Sequence, residues 1–121
     1  CRSTWERKMC KYLDLNENVI NWNSEELTIP YYSPIDKKWH KYYPDFLTKI
    51  KDKKGEIKTY LIEVKPKKQT KEPNRAKMQK KTYIREMKTF AINNHKWEAA
   101  KKLCDENGWI FKILTEDDLF R

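Results

Sequence analysis

The sequence predicts a single α/β domain, spanning residues 1–121, in which helices flank a small mixed sheet. Three observations predict this class: an amphipathic segment near the start, two strand-like runs separated by a short polar loop, and a long helical stretch before a last strand. The two runs predict an antiparallel hairpin. The last strand returns after a helix long enough for a crossover, which allows parallel pairing.

The first predicted element is a helix from Ser3 to about Leu15, with Ser3 as its N-cap. Its apolar residues recur at helical spacing: Trp5, Met9, Tyr12 and Leu13. Val19 to Ile29 is then predicted to be extended. Pro30 to Pro34 and Asp36 to Lys38 have the composition of turns.

The predicted hairpin follows these turns. Aromatic and β-branched residues return from Trp39 to Ile50, which predicts a strand. Lys51 to Gly55 is a polar loop, and Ile57 to Lys65 is the second strand. Asp45 is therefore expected within the first strand, and Lys65 at the end of the second.

The rest of the chain is predicted to contain the crossover. Asn74 is the expected N-cap of a long helical stretch with a break near Asn93-Asn94. Gly108 suits the C′ position of this stretch. A strand from Trp109 to Leu114 and a short helix capped by Thr115 complete the predicted order αβββαβ.

Composition narrows the function classes. The formal net charge of +9 favours a polyanionic partner such as DNA. No apolar run approaches the roughly 20 residues of a membrane span, and no secretion signal is recognisable. Three cysteines without a CxxC pair predict neither a disulfide framework nor a zinc site, so reduced thiols are expected in an intracellular protein.

Two carboxylates and a lysine are the candidates for chemistry. Glu63 and Lys65 share one face of their predicted strand, and Val64 faces the other way. The hairpin can place Asp45 beside Glu63. Two adjacent carboxylates repel one another unless a cation lies between them.

Two arrangements satisfy these acids. One is a hard cation such as Mg²⁺, which accepts one or two carboxylates, water and phosphate oxygens and so supports phosphodiester hydrolysis. Lys65 would then lie beside the attacking water and the developing phosphorane charge. The other is an ion pair between Lys65 and either acid, without any metal.

Pro44-Asp45 and Glu63-Val64-Lys65 together resemble the motif of the PD-(D/E)XK nuclease superfamily, whose restriction-endonuclease-like core has the same αβββαβ order. The resemblance implies that Asp45 and Glu63 bind Mg²⁺, for which Mn²⁺ is expected to substitute. It also implies the Val64 carbonyl as a third ligand and Lys65 as the catalytic lysine. Glu6 matches an acid that the superfamily often adds from its first helix, but it also fits a capping box with Ser3.

A basic segment follows the proposed catalytic strand. Gln79 and Tyr83 resemble a Q-x-x-x-Y element of the superfamily's exonuclease-like branch, and a spacing of four predicts one helix face for both. The expected DNA-binding residues are Lys67, Lys68, Lys71, Arg75, Gln79 and Tyr83. A second set either packs in the core or stacks on exposed bases: Tyr31, Tyr32, Trp39, Tyr42 and Tyr43.

Further motifs across almost the whole chain resemble the head completion nucleases of T-even-type phages. They include 3–9, Tyr43-Pro44-Asp45-Phe46, 61–67 and 108–116. The resemblance implies an endonuclease that acts on DNA ends during head completion, before tail joining. It also implies phage head or neck proteins as partners, and the host cytoplasm and virion as locations. The alternatives are a non-catalytic DNA-binding component of a virion and a resolvase or RNA nuclease of the same fold.

Overall fold

The computed structural model describes residues 4–24 and 27–119. Three helices and six strands are defined within them. In chain order they are α1 (Thr4–Leu15), β1 (Val19–Ser24), β2 (Ile29–Ser33), β3 (Lys38–Tyr42), β4 (Phe46–Lys51), β5 (Ile57–Val64), α2 (Lys80–Asn107), β6 (Ile110–Leu114) and α3 (Glu116–Leu119). Two short 3₁₀ segments, Lys67–Thr70 and Arg75–Lys77, lie between β5 and α2.

Four strands form a mixed sheet in the order β1-β4-β5-β6. The pairs β1–β4 and β4–β5 are antiparallel, and β6 pairs in parallel with β5 after the α2 crossover. Strands β2 and β3 form a separate two-stranded sheet. Apart from this extra hairpin and α3, the order is αβββαβ, and the predicted mixed sheet flanked by helices is confirmed.

The sheet separates two apolar clusters, because successive residues of β5 point to opposite faces. Ile62 and Val64 pack in a cluster with Met9 and Leu13 of α1. Leu61 packs on the other side in a cluster with residues of α2 and the β2–β3 hairpin. Glu63 has the same parity as Leu61, so its side chain lies on the α2 face.

The region before β4 differs from the prediction. Val19 to Ile29 is not one extended run, since β1 ends at Ser24 and β2 begins at Ile29 in another sheet. Pro30 lies within β2 rather than in a turn. A two-stranded sheet has a free edge on each strand, where a residue without an N–H costs no ladder hydrogen bond.

The stretch from Trp39 to Ile50 contains two strands, β3 and β4, instead of the single strand expected. The chain leaves the extended ladder between Tyr43 and Asp45. Pro44 donates no hydrogen bond and restricts the residue before it, which favours an interruption here. Asp45 therefore precedes β4 instead of lying within it.

Helix α2 starts later and runs longer without interruption than predicted. Asn74 caps the short segment Arg75–Lys77, where its Oδ1 accepts the Ala76 N–H at 3.0 Å. The predicted break at Asn93-Asn94 is wrong, because α2 is continuous through both residues. Asn93 is 4% exposed on the buried face, so tertiary packing holds a residue of modest helix propensity in the helix.

The predicted caps of the first and last helices differ in what the structure describes. Ser3, the predicted N-cap of α1, lies outside the described residues. The predicted Thr115 cap is confirmed, since the Asp117 N–H donates to its Oγ1 at 3.3 Å.

Cys104 is a buried free thiol as expected, whereas Cys10 is disulfide-bonded, so the expectation of reduced thiols is wrong there. None of the helices in the described ranges is long and apolar enough to cross a membrane.

Candidate active site

Asp45 and Glu63 lie together where the β4–β5 ladder ends. The antiparallel register pairs Phe46 with Ile62 and Leu47 with Leu61. Continued by one residue, it sets Asp45 opposite Glu63. The Val64 N–H donates to Asp45 Oδ2 at 2.7 Å and fixes this carboxylate against the end of β5. The hairpin thus brings the two acids together as the sequence predicted.

Glu63 is a buried carboxylate with two partners. It is 4% exposed, and its Oε2 accepts a hydrogen bond from the Tyr42 hydroxyl at 2.5 Å. Lys65 Nζ lies 3.6 Å from Oε1 of the same carboxylate. Glu63 and Lys65 therefore share one face as predicted. Lys65 forms an ion pair with Glu63, which is the pairing that the metal-free alternative describes.

Burial raises the pKa of both carboxylates, and like charge adds to this effect at Asp45. Burial, followed by the negative charge of Glu63, raises the pKa of Asp45 to about 7 against the lowering effect of the Val64 N–H. Burial also raises the pKa of Glu63, although the Tyr42 hydrogen bond and the charge of Lys65 oppose this effect. Two carboxylates that resist ionisation together are stabilised by an added positive charge.

The donor set fits a hard divalent cation. Asp45 and Glu63 provide carboxylate oxygens, and burial, the largest cause of their raised pKa values, leaves little solvent to stabilise their ionised forms. Within residues 4–24 and 27–119, no group of three His, Cys, Asp or Glu side chains could hold a metal ion. Main-chain oxygen, water and substrate phosphate would therefore complete the coordination, a set that Mg²⁺ accepts.

Glu6 approaches this pair from the first turn of α1. Its charge contributes to the raised pKa of Asp45. It lines a cavity of about 290 Å³ with Trp5, Val64 and Pro66. Glu6 is thus near the site but does not form a three-carboxylate cluster with Asp45 and Glu63; its role in metal binding stays a prediction.

Lys96 is a charged neighbour that the sequence analysis missed. It is half-buried on α2, and its Nζ lies 5.6 Å from the ring centroid of Tyr42. Its charge lowers the pKa of Glu63, and burial followed by the charge of Lys65 lowers its own pKa. Lys96 follows buried Asn93 by three residues and precedes buried Ala100 by four, and this helical spacing was the available signal.

The predicted DNA-binding residues do not form one uniform surface. Lys67 is held against α3: its Nζ lies 2.8 Å from Asp117 Oδ2, and its N–H donates to Glu116 Oε1 at 2.7 Å. Lys68 and Lys71 are exposed, and both line a cavity against α2. Their positive charge is therefore available to a ligand, whereas that of Lys67 is partly neutralised.

Gln79 and Tyr83 lie at the N-terminal end of α2. Gln79 is the N-cap of the helix, and its carbonyl accepts the Tyr83 N–H at 2.9 Å. That Gln79 and Tyr83 share one helix face stays a prediction. The Arg75 guanidinium lies 5.8 Å from the Tyr83 ring centroid, so these two predicted residues are neighbours.

The five aromatic residues divide between the two alternatives. Tyr31 and Tyr42 are buried in the cluster on the α2 face, as core packing predicts. The other three are open to solvent: Tyr32, Trp39 and Tyr43 are 42%, 70% and 51% exposed. Only these exposed rings are free to stack on bases.

Comparison with known proteins agrees with this architecture. A family model described as "TnsA-like endonuclease N terminal" matches residues 16–116, a range that contains Asp45, Glu63 and Lys65 but not Glu6. The "Head completion nuclease" of Enterobacteria phage T4 is 38% identical over 122 residues, which cover 98% of this chain and 79% of that protein. No solved structure gives a significant match. The chain therefore belongs to the TnsA-like endonuclease N-terminal family, with a restriction-endonuclease-like fold, and is a relative of the phage T4 head completion nuclease.

Proposed function

We propose that this protein is a Mg²⁺-dependent DNA endonuclease that hydrolyses phosphodiester bonds. One observation carries the proposal: two desolvated carboxylates, Asp45 and Glu63, meet at a strand end with Lys65 Nζ 3.6 Å from Glu63. Membership in an endonuclease family and likeness to a protein named as a nuclease support the same chemistry.

Each residue has a distinct role in the proposed reaction. Asp45 and Glu63 would hold Mg²⁺ with the Val64 carbonyl, and the bound ion would supply Lewis-acid stabilisation and an activated water. Lys65 would orient the attacking water and stabilise negative charge on the phosphorane. The hydrogen bond from Tyr42 to Oε2 and the ion pair between Lys65 and Oε1 together fix the direction of the Glu63 carboxylate.

DNA is the proposed substrate because the protein carries a large positive charge next to this site. The formal net charge is +9, and exposed Lys68 and Lys71 follow Lys65 closely in the chain. Lysines that neutralise phosphates release counterions, so the affinity for DNA is expected to fall steeply with salt. An RNA nuclease or a resolvase would share these features, and the substrates tested below distinguish them.

The proposed setting is phage head completion, where the protein would act on DNA ends before tail joining. Support comes from the 38% identity to the T4 protein named as a head completion nuclease. Head or neck proteins are the proposed partners, and the host cytoplasm and the virion the proposed locations. A virion component that binds DNA without cutting it is the second candidate. DNA binding without cleavage does not require buried carboxylates with raised pKa values, and burying such groups destabilises the folded protein.

Cleavage assays test the proposal directly. Purified protein is incubated with plasmid, blunt duplex, flapped and four-way-junction DNA and with duplex RNA, with Mg²⁺, with Mn²⁺ and with EDTA. We expect cleavage of DNA with either metal and none with EDTA. Glu63→Gln and Lys65→Met are each expected to lower the rate by at least about a hundredfold, because the first removes a ligand of the metal ion and the second removes a charge that stabilises the transition state.

The matched controls are Glu98→Gln and Lys49→Met, which remove the same charges at exposed positions of α2 and β4. Both are expected to cut like the wild type. Equal cleavage by Glu63→Gln, or salt-dependent DNA binding without cleavage of any substrate, would contradict the nuclease proposal. The second of these results would favour the DNA-binding virion component.

A further inference from the structure

A cavity of about 240 Å³ lies between α2 and the segment that follows β5. Lys68, Lys71 and Arg85 contribute to its lining, and all three are exposed side chains. A single water occupies about 30 Å³, and pockets for drug-sized ligands begin near about 300 Å³. The volume therefore suits a ligand larger than a water molecule and smaller than most drugs.

We propose that this cavity binds the base of one unpaired nucleotide in the DNA substrate, while the cationic side chains hold its flanking phosphates. The inference rests on the proposed function and deepens it: a substrate with an unstacked nucleotide near the cleavage site would be preferred to continuous duplex. The cavity is distinct from the carboxylate pair itself, since neither Asp45 nor Glu63 lines it.

The walls suit a planar apolar ring. Phe90, Met78 and Pro73 line the cavity and are each partly buried. Aromatic and apolar side chains stack on the faces of unpaired bases, and such stacking favours binding of any base. A phosphate would gain nothing from these three side chains.

Two buried polar atoms of the lining residues have no hydrogen-bond partner within residues 4–24 and 27–119. Asn93 is 4% exposed, and its Nδ2 is buried there without an acceptor; Glu86 Oε2 is buried without a donor. Buried polar groups without partners are rare and destabilising. Asn93 and Glu86 are seven residues apart on α2, so both are on the same helix face. Water can serve both groups in the free protein, and a ligand with one acceptor and one donor can replace it.

The combination of a carboxylate and an amide selects a base over an anion. A phosphate would be attracted by the cations and by the Asn93 amide but repelled by Glu86. A base edge offers an acceptor and a donor side by side. Adenine and cytosine have an exocyclic amino group where thymine has a carbonyl oxygen, so Glu86 is expected to favour the first two bases.

The position of the cavity links it to the proposed active site. Asn93 lies one helical turn before Lys96, whose charge acts on Glu63. Lys68 follows Lys65 by three residues in the chain. A strand held in the cavity by one nucleotide would therefore pass close to the carboxylate pair.

Fluorescence anisotropy in EDTA tests the inference without cleavage. The probes are labelled ten-residue oligomers of dA, dC and dT and a blunt duplex of the same length. We expect dA and dC oligomers to bind about tenfold more tightly than dT, the discrimination that one good side-chain–base pairing provides. Glu86→Gln is expected to remove most of that preference, because an amide can also donate to a carbonyl oxygen.

Asn93→Leu distinguishes ligand binding from a structural role. Replacing a buried amide whose Nδ2 finds no acceptor among the described residues by an apolar side chain is expected to raise Tm, while the affinity for the dA oligomer falls about tenfold. Thr48→Val is the matched control: Thr48 Oγ1 is also buried without a partner in the described part of the chain, but it is not part of the cavity lining. It is expected to raise Tm without changing affinity.

Three outcomes would overturn the inference: equal affinity for dA, dC and dT oligomers, displacement of the dA oligomer by millimolar inorganic phosphate, or unchanged affinity in Asn93→Leu with a lowered Tm. These results are separable from failure of the proposed function. Cleavage that depends on Glu63 while Asn93→Leu binds normally refutes only the base site. Base-selective binding without any cleavage refutes only the nuclease.

Discussion

Asp45→Asn tests the electrostatics of the carboxylate pair in the metal-free protein. Asparagine has nearly the shape of a protonated aspartic acid, and its Oδ1 can still accept the Val64 N–H that Asp45 Oδ2 accepts at 2.7 Å. The substitution therefore removes the negative charge beside Glu63 and keeps the hydrogen bond. We expect it to stabilise the protein at alkaline pH when EDTA is present.

The magnitude follows from the pKa of Asp45. Burial and the charge of Glu63 raise it from 3.8 to about 7. At about 1.36 kcal/mol per pKa unit this difference sets an upper limit of about 4 kcal/mol. Solvent screening of a partly buried carboxylate reduces it to about 2 kcal/mol. Because the folded state holds the proton more tightly, stability declines as pH rises from about 4 to 7, and the full cost of ionised Asp45 is present above pH 7.

Urea denaturation of wild type and Asp45→Asn at pH 4, 6 and 8 measures this difference. We expect nearly equal free energies of unfolding at pH 4 and a gain of about 2 kcal/mol for Asp45→Asn at pH 8. Asp52→Asn is the control with the opposite sign: hydrogen bonds from the Glu56 and Lys54 N–H groups and the charge of Lys58 lower the pKa of Asp52, so its neutralisation should destabilise at pH 8. A loss of stability in Asp45→Asn at pH 8, or the same gain at pH 4, would refute the reasoning.

Three further substitutions test neighbouring features. Tyr42→Phe removes the hydrogen bond to Glu63, so the free energy of unfolding in urea should fall by about 1–3 kcal/mol. The pKa of Glu63 should rise further, and the acid limb of the cleavage pH profile should therefore move to higher pH. An unchanged acid limb would contradict this role of Tyr42. Lys96→Met removes a positive charge near Glu63. Calorimetry at pH 8 should then show Mg²⁺ binding roughly fivefold tighter, which corresponds to about 1 kcal/mol of repulsion between Lys96 and the metal ion. Weaker binding would show that Lys96 instead positions the carboxylate. Gly108→Ala places a Cβ on a residue with φ +70°, which should lower the free energy of unfolding in urea by about 1–2 kcal/mol. Cleavage should not change, because the strain is at the end of α2. An unchanged stability would contradict the left-handed cap.

The candidate site could be predicted from the sequence to the extent that strand geometry alone determines it. Alternation along β5 puts Glu63 and Lys65 on one face and Val64 on the other, whatever the strand packs against. The polar loop before Ile57 predicts the hairpin, and the hairpin register brings Asp45 opposite Glu63. These are relations between residues near in sequence, and local chemistry specifies them.

The sequence did not reveal the partners that come from distant elements. Tyr42 bonds Glu63 across 21 positions of the chain, and Lys96 reaches the site from a helix that begins after the basic segment. Local propensity also misplaced the boundaries at Pro30 and Asn93. In both cases the packing of one face of the strand or helix into the core outweighed the turn or break that the residue type favours.

The amino-acid sequence by itself determined the order of helices and strands in the main sheet, the motif residues and the positive charge, because each depends on residue type and short spacing. The tertiary structure decided how deeply Glu63 is buried, how far the pKa of Asp45 is raised, and that Asn93 and Glu86 line one cavity with unpaired atoms. Desolvation and charge–charge coupling depend on every group within several ångströms, and the folded packing of distant segments sets those distances.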